Sequence, residues 1–471
     1  MRKTKIICTI GPASEKPEIL RELMLAGMNC TRLNFSHGDH AEHKKRIDTI
    51  KKIREELKLP VPILLDTKGP EIRVRDFKEG FIMLEEGQEF VFKPDDGSLG
   101  NEKEVCITYP NLAKDVEIGN SILIDDGKIV LEVEKIVGEN VHCRVQNSGR
   151  VSNHKSINVP YVNINIPFLS KQDRLDIAFG VNQGIDYIAA SFVRTKEDIL
   201  GLREYLRSIG ADDIKIISKI ENMQGIENID GIIDVSDGIM IARGDMGVEV
   251  HFSKLPPIQK EIINKCYLKG KLVVTATQML DSMESNPRPT RAEVSDVANA
   301  IYDGTTCIML SGETAAGRYP VESVKAMAAI AVEAEDAIDY AQKYLENDLS
   351  LGSEVGQAIG NSAVISATQL HASAIIAITK KGTTARIVSS YRPTTPIIAC
   401  ALDEQTCRQL YLYWNVLPIM AERKATTDDL FSHGLERAMS TGMLKKGDKV
   451  AIVGASVAGD AAIDVLKLQI V

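Results

Sequence analysis

Residues 214–222 read Ile214-Lys215-Ile216-Ile217-Ser218-Lys219-Ile220-Glu221-Asn222. Up to Ile220 the run is apolar at odd and even positions alike, which suits a parallel strand buried on both faces. It then breaks into charge. Side chains two apart on a strand share a face, so Lys219 and Glu221 project together from its C-terminal end. Seven more runs of this kind lie at Lys5–Ile10, Cys30–Phe35, Pro62–Asp66, Tyr187–Phe192, Gly238–Ala242, Leu272–Ala276 and Cys307–Leu310. Helix-like stretches alternate with them, at Pro17–Ala26, Ala41–Leu57, Lys171–Asn182, Lys196–Ser208, Pro257–Tyr267 and Ala292–Ile301. Eight such units predict an α/β fold, a (β/α)8 TIM barrel, whose active site gathers at the C-terminal strand ends. Nearly every predicted end carries charged or hydroxyl residues: Thr31 to His37, Asp66-Thr67-Lys68, Ser191 to Arg194, Lys219 to Asn222, Arg243-Gly244-Asp245, Thr277-Gln278 and Ser311-Gly312-Glu313. Solvated loops account for single cases of this and poorly for the whole rim.

Outward from the barrel, the pattern changes twice. Between the third and fourth strands, over 70–167, strands alternate with tight turns. Ser121–Ile124 and Ile129–Val133 flank Asp125-Asp126-Gly127-Lys128, a strong hairpin signal. This predicts an inserted all-β unit, a small β-barrel at the catalytic rim that acts as a lid. The catalytic barrel is then 1–69 plus 168–345. After a predicted long helix over Val321–Leu345 and a polar stretch from Glu346 to Ser350, the α/β rhythm restarts. Helices are expected at Val355–Leu370, Thr384–Tyr391, Glu404–Trp414 and Asp428–Met443. Strands are expected at Ala374–Thr379, Pro396–Ala401, Val416–Met420, Lys449–Val453 and Leu466–Val471. They predict a separate open α/β unit over 346–471.

Composition narrows the function. The 471 residues carry 56 Lys plus Arg against 65 Asp plus Glu, a formal charge of −9, with 44% hydrophobic and 26% charged residues. Those values are globular, long enough for several domains, and exclude disorder and fibrous classes. A net acidic chain is a poor nucleic-acid binder. No run approaches a membrane span, and the N-terminus has no signal-peptide pattern. The eight cysteines form no CxxC pair and read as reduced thiols of a cytoplasmic protein.

The strand ends suggest chemistry. Glu221 and Asp245 come from neighbouring strand ends beside Lys219, which suits a divalent metal shared with a substrate phosphate. The other reading is a salt-bridged rim, Lys219 against Glu221. Arg32, Asn34 and Ser36 alternate on the second strand end, and Asp66, Thr67 and Arg73 follow from the third. Guanidinium forks suit carboxylate and phosphate. The oxygens of Asn34, Ser36, Asp66 and Thr67 suit a monovalent cation, or else are cap and turn residues. Thr277 could serve in proton delivery or cap the following turn. His37 reads by default as a hydrogen-bonded loop residue.

At these residues the chain resembles the pyruvate kinase family over essentially its whole length. The carrying motifs are Thr4 to Ala13 (TKIICTIGPA), Thr31 to Gly38 (TRLNFSHG), Leu65 to Arg73 (LDTKGPEIR) and Ile217 to Asn222 (ISKIEN). They continue with Asp237 to Val248 (DGIMIARGDMGV), Thr275 to Met283 (TATQMLDSM), Pro287 to Ala300 (PRPTRAEVSDVANA) and Met309 to Gly317 (MLSGETAAG). The likeness is to the bacterial type without an extra C-terminal phosphohistidine-like domain. It implies phosphoryl transfer from phosphoenolpyruvate to ADP, giving pyruvate and ATP, the last step of glycolysis. It implies that Glu221 and Asp245 bind Mg2+ or Mn2+, and that Arg32 and Lys219 hold the phosphoryl group. Backbone amides near Gly244 and Asp245 would take the substrate carboxylate, and Thr277 would orient the proton donor for C3. Asn34, Ser36, Asp66 and Thr67 would hold K+. Arg73 and Lys155 would meet the nucleotide phosphates when the lid closes, with Asn34 and His37 near the nucleotide. Family members with Glu at the place of Glu71 depend on K+, so K+ dependence is expected here. The family also implies a homotetramer.

The C-terminal unit resembles the family's regulatory domain. Thr379-Lys380-Lys381-Gly382-Thr383-Thr384 leads from a predicted strand into a helix N-terminus, either a phosphate cradle or a plain glycine turn. A sugar phosphate or AMP is the expected class of effector, with Thr379, Lys381, Gly382, Thr383 and Thr384 as its site. Many members carry a Ser-Gly-Thr-Thr-Asn-like stretch near the end. Here Asp460-Ala461-Ala462-Ile463-Asp464 stands there, and its acids disfavour a second sugar phosphate. Asn415 stands where glycine is common. Two rival readings remain: a Mg2+-dependent lyase cleaving C–C bonds in a keto acid on the same barrel, and a non-enzymatic effector sensor.

Overall fold

The structure is a computed structural model that describes residues 2–340, 342, 354–457 and 463–471. Its first sheet is a closed parallel barrel. In order around the barrel the strands are Lys5–Thr9, Cys30–Asn34, Ile63–Asp66, Tyr187–Ala190, Lys215–Ile220, Gly238–Ala242, Leu272–Ala276 and Cys307–Leu310, the last pairing with the first. These are the eight runs expected from sequence, with ends shifted by at most a residue or two.

Alternation explains both the closure and the site. Ile6, Leu33, Leu65, Ile188, Ile216 and Ile241 bury outward against the helices. Ile7, Cys30, Leu64, Ala189, Ile217 and Met240 bury inward. Two residues further along the same inward face come Thr9, Arg32, Asp66, Ser191 and Lys219. One period-2 face thus runs from an apolar barrel floor to a polar mouth. The helices outside are set by local signals. Thr290 and Glu293 form a capping box ahead of Arg291–Asp303, and Gly304 ends that helix at φ 106°.

The insert between the third and fourth barrel strands is a seven-stranded sheet with a two-stranded ribbon, Phe81–Leu84 against Gly149–Ser152. Its edge strands are Ile72–Arg73 and Glu104–Ile107, and they meet through a bridge between Val74 and Ile107, so the sheet curls onto itself. The hairpin forms as the sequence predicts, with Ile124 opposite Ile129 and Asp125, Asp126 and Gly127 all at positive φ.

The C-terminal sheet runs Val416–Met420, Ile397–Ala401, Ala374–Thr379, Lys449–Gly454 and Val465–Ile470. Four strands are parallel and the last is antiparallel. This unit is bolted to the barrel floor. The Tyr187 hydroxyl donates to Gln409 O at 2.6 Å, and Arg408 Nε donates to Asp186 Oδ1 at 2.8 Å.

Three helices are shorter than their apolar patterns suggest. The one expected over Val321–Leu345 is Pro320–Asp336. Asp339 accepts the Gln342 amide at 3.0 Å, so a short acidic side chain caps a new turn instead of extending the old one. The polar stretch 346–350 lies outside the described residues. The helix from Glu404 ends at Leu410, and the one expected over Asp428–Met443 is Thr427–Met439. Left-handed turns at Asn415 (φ 57°) and Gly442 (φ 75°) follow them.

Asn415 rewards its position. It is 1% exposed, and its Nδ2 donates to Pro393 O at 2.9 Å and Thr395 O at 3.1 Å. Glycine would supply the left-handed conformation alone; asparagine adds the bonds. Asn415→Ala should therefore destabilise the protein by about 2–3 kcal/mol, through lost bonds and a strained backbone. Asn415→Gly should cost less. A thermal midpoint unchanged in Asn415→Ala would refute the assignment.

Candidate active site

At the barrel mouth six polar side chains form a relay. Arg32 Nη1 donates to Thr9 Oγ1 at 2.9 Å, and Arg32 Nε donates to Asp66 Oδ2 at 2.6 Å. Asp66 Oδ1 accepts the Ser191 hydroxyl and the Lys219 ammonium, both at 3.1 Å. Lys219 Nζ also donates to Ser191 Oγ at 2.7 Å and stands 2.9 Å from Glu221 Oε1. Burial alone would raise the Asp66 carboxyl, but Arg32 and Lys219 more than offset it and hold the group below its ordinary value. For Lys219 burial works against charge, yet Asp66, Glu221 and Asp245 together hold its ammonium well above the ordinary lysine value.

Glu221 is the opposite case. Burial pushes its carboxyl up, Lys219 pulls it down, and the Asp245 carboxylate pushes it up again. Phe192 N donates to Glu221 Oε2 at 2.6 Å. Glu221 Oε1 has no hydrogen-bond donor: its contact with Lys219 is an ion pair outside hydrogen-bond geometry. A buried carboxylate oxygen paired with one ammonium and crowded by a second carboxylate has room for further positive charge. A divalent cation would supply it, with substrate oxygens and water completing its shell. The residues present fit Mg2+ or Mn2+. The salt-bridged rim and the metal reading are therefore compatible.

Asp245 opens the short helix Arg243–Glu249, directly after the strand Gly238–Ala242. Next to it the backbone is strained. Thr277 has φ 69° and Gln278 φ 52°, in a region β-branched residues rarely enter. Two contacts hold them. Gly244 N donates to Thr277 Oγ1 at 2.7 Å. Arg243 Nη2 donates to Thr277 O at 2.8 Å and Gln278 O at 3.1 Å, while its Nη1 pairs with Asp296 at 2.7 Å. The Thr277 hydroxyl stands at the mouth, accepting the Gly244 amide and donating to Ala276 O at 2.5 Å.

The oxygen set of Asn34, Ser36, Asp66 and Thr67 spans two adjacent strand ends, with Asn34 directly opposite Asp66. Asn34 Oδ1 accepts Ser36 N at 3.1 Å, and Thr67 Oγ1 accepts Ser191 N at 3.1 Å. An all-oxygen set suits a hard monovalent cation, although Asp66 already answers to Arg32 and Lys219.

Above the relay a cleft of about 450 Å³ separates the inserted sheet from the rim. His37, Arg73, Lys155 and Asp245 line it together. Lys155 pairs with Asp125 at 2.8 Å, and Arg73 with Glu71 at 2.6 Å. Asn158 Nδ2 ties the inserted sheet to the barrel by donating to Glu249 Oε1 at 3.2 Å.

The C-terminal turn lies at the other end of the molecule. Thr379 ends its strand, Gly382 sits at φ 82°, and Thr383 and Thr384 open the helix Thr383–Ser390. A side chain at 382 would meet Leu410 at 3.3 Å. Lys381 is exposed. Of the altered stretch, Asp460, Ala461 and Ala462 lie outside the described residues. Asp464 accepts Ser456 N at 2.6 Å and Ser456 Oγ at 2.5 Å.

Several participants carry no role in the sequence reading: Thr9, Ser191, the Phe192 amide, Arg243 and Asp296. Ser191 was within reach, since it extends the inward face Tyr187-Ala189-Ser191. The Arg243–Asp296 pair joins residues far apart in sequence and left no local signal.

Two family models match the chain: "Pyruvate kinase, barrel domain" over residues 1–324 and "Pyruvate kinase, alpha/beta domain" over 357–468. A pyruvate kinase of Clostridium acetobutylicum is 49% identical over 474 residues, covering 100% of both chains. One of Staphylococcus haemolyticus is 49% identical over 475 residues, covering 100% of this chain and 81% of its own. A crystal structure of a pyruvate kinase from Cryptosporidium parvum superposes with a TM-score of 0.94 at 40% identity, covering 100% of this chain and 96% of that one. None of these supports a lyase or a sensor. The chain belongs to the pyruvate kinase family.

Proposed function

We infer that the chain transfers the phosphoryl group of phosphoenolpyruvate to ADP, giving pyruvate and ATP. The observation that carries the residue roles is the Lys219 ammonium, buried and held charged between Asp66, Ser191 and Glu221 beneath the cleft. The bond from phosphorus to the enol oxygen breaks, and one to a β-phosphate oxygen of ADP forms. The enolate left behind takes a proton at C3 and becomes the ketone. Such transfers need positioning and charge neutralisation more than covalent catalysis.

In this reading Arg32 and Lys219 hold the phosphoryl group from below, and their donors are pre-aimed by Asp66. The Gly244 and Asp245 amides take the substrate carboxylate, for which the Gly244 amide must leave Thr277 Oγ1. That exchange frees the Thr277 hydroxyl to orient the proton donor towards C3. Glu221 and Asp245 would hold the divalent ion, whose charge would offset the negative charge of the substrate. Asn34, Ser36, Asp66 and Thr67 hold K+. Arg73 and Lys155 meet the ADP phosphates by leaving Glu71 and Asp125, with Asn34 and His37 nearby. The inserted sheet excludes water, which would otherwise accept the phosphoryl group. The 379–384 turn is the proposed site of a phosphorylated effector. All eight cysteines are free and buried, which supports a reducing cytoplasmic setting. No helix among the described residues is long and apolar enough to cross a membrane. A homotetramer is proposed from the family, and sedimentation would test it.

The deciding assay is pyruvate formation from phosphoenolpyruvate and ADP with Mg2+, with K+ present or replaced by a bulky organic cation. Turnover is expected only with both cations. A rate indifferent to K+ would remove the cation role from the Asn34 set, and no turnover at all would remove the reaction.

A further inference from the structure

A second cleft, of about 560 Å³, opens at the opposite end of the barrel from the catalytic mouth. One wall is the loop Leu268–Lys271, which enters the strand Leu272–Ala276 from below; the other is the helix Thr383–Ser390. Past Tyr413 it narrows into slots of about 20 Å³, the inner one bounded by Tyr267, Tyr340, Arg392 and Trp414.

The cleft is short of negative charge. Lys269 is matched by Asp234, and Asp237 by Arg203 Nη2 at 2.8 Å. Lys271, Arg386 and Arg392 also line the crevice, and among the described residues none of them has a carboxylate within ion-pair distance, although Asp237 acts on both Lys271 and Arg386 from further off. Lys271 Nζ donates only to carbonyl oxygens, Ser236 O at 2.7 Å and Asp234 O at 3.3 Å. Arg386 Nη2 donates to Thr383 Oγ1 at 3.1 Å, and its guanidinium also bonds the Tyr413 hydroxyl. Arg392 Nη2 donates to Gly304 O at 2.9 Å, while its Nη1 is buried with no hydrogen-bond partner. Cations removed from water with no counter-ion in direct contact are costly, and an anion supplied from outside offsets that cost. The volume exceeds that of a bare phosphate and suits a small phosphorylated metabolite, with Ser390 and Gln357 on the walls to meet its neutral polar groups.

We propose that this cleft binds a phosphomonoester through Lys271 and Arg386, a site that shares Thr383 with the 379–384 turn but does not use Lys381. The bound anion would join the barrel floor to the C-terminal helix, two elements that otherwise meet here across open space.

The test is calorimetric titration of the full chain with AMP, ribose 5-phosphate and inorganic phosphate as probes. The wild type is expected to bind at least one at millimolar concentration or below. Which one separates a nucleotide, a sugar phosphate and a bare anion. Lys271→Gln and Arg386→Gln, each checked for native near-UV dichroism, should weaken that binding about tenfold or more. Both cleft variants are made in a Lys381→Glu background, which removes binding at the 379–384 turn, so that the binding read is the cleft's. The two cleft variants are read independently, so misfolding of one leaves the other decisive. Absence of binding to the wild type, binding retained in the folded cleft variants, or binding already lost in Lys381→Glu alone would each overturn the proposal; the last would assign the anion to the turn.

Discussion

Lys219→Met lowers turnover by at least about a thousandfold, with the fold intact and the KM for ADP little changed. The size follows from what the ammonium does. It is the buried cation that reaches both Asp66, at 3.1 Å, and Glu221, at 2.9 Å, and in the proposed reading it holds the phosphoryl group. A pre-oriented charge at a transferring phosphoryl group contributes on the order of 10³–10⁵ in rate, because it is already desolvated and aimed. Methionine keeps the length and removes the charge. The barrel survives because Asp66 retains Arg32 at 2.6 Å and Ser191 at 3.1 Å. Glu221, already pushed up by burial, would take a proton. In the proposed reading the KM for ADP holds because Arg73 and Lys155, in the cleft above, take the nucleotide phosphates. Steady-state kinetics at saturating Mg2+ and K+ decide it. A fall of under about tenfold would move the burden of charge to Arg32.

That expectation was legible because strand periodicity is a rigid ruler. Once Ile217 is placed inside the barrel, Lys219 must face inward, and Glu221 continues the line past the strand end. The same ruler put Arg32, Asn34 and Ser36 on one face of their strand end, and Asn34 does stand opposite Asp66. Strands buried on both faces have sharp ends, so Gly238–Ala242, Leu272–Ala276 and Cys307–Leu310 match their predicted bounds. Helix ends were less legible, because an apolar stripe continues past the cap that stops the helix, as beyond Asp336. Contacts across the sequence were hidden too. Nothing near Lys155 shows that it pairs with Asp125 across two strands of the insert. Nothing near Arg243 announces Asp296. Such pairs are set by how elements pack, and packing has no local pattern.

The Arg243 pair carries the second large effect. Arg243→Met should lower turnover by about a hundredfold, since small displacements of a positioning group cost that much. Arg243 is a positioning residue here: its guanidinium binds the carbonyls of Thr277 and Gln278, and Asp296 anchors it from behind. Both carbonyls belong to residues at positive φ, each worth about 1–3 kcal/mol of strain that the surroundings must overcome. Without the fork the turn relaxes towards extended backbone, and the Thr277 hydroxyl swings away from Gly244 N. Phosphoryl transfer and proton delivery should then part company. The Lys219–Asp66 relay is untouched, so Arg243→Met should lose more in the exchange of pyruvate C3 protons with deuterated water than in its affinity for phosphoenolpyruvate. Arg243→Lys keeps the charge and loses the fork, and should recover only part of the rate. If exchange stays at the wild-type rate while turnover falls, Arg243 acts on the substrate carboxylate through the Gly244 amide instead, and Thr277 is a cap with no share in the proton step.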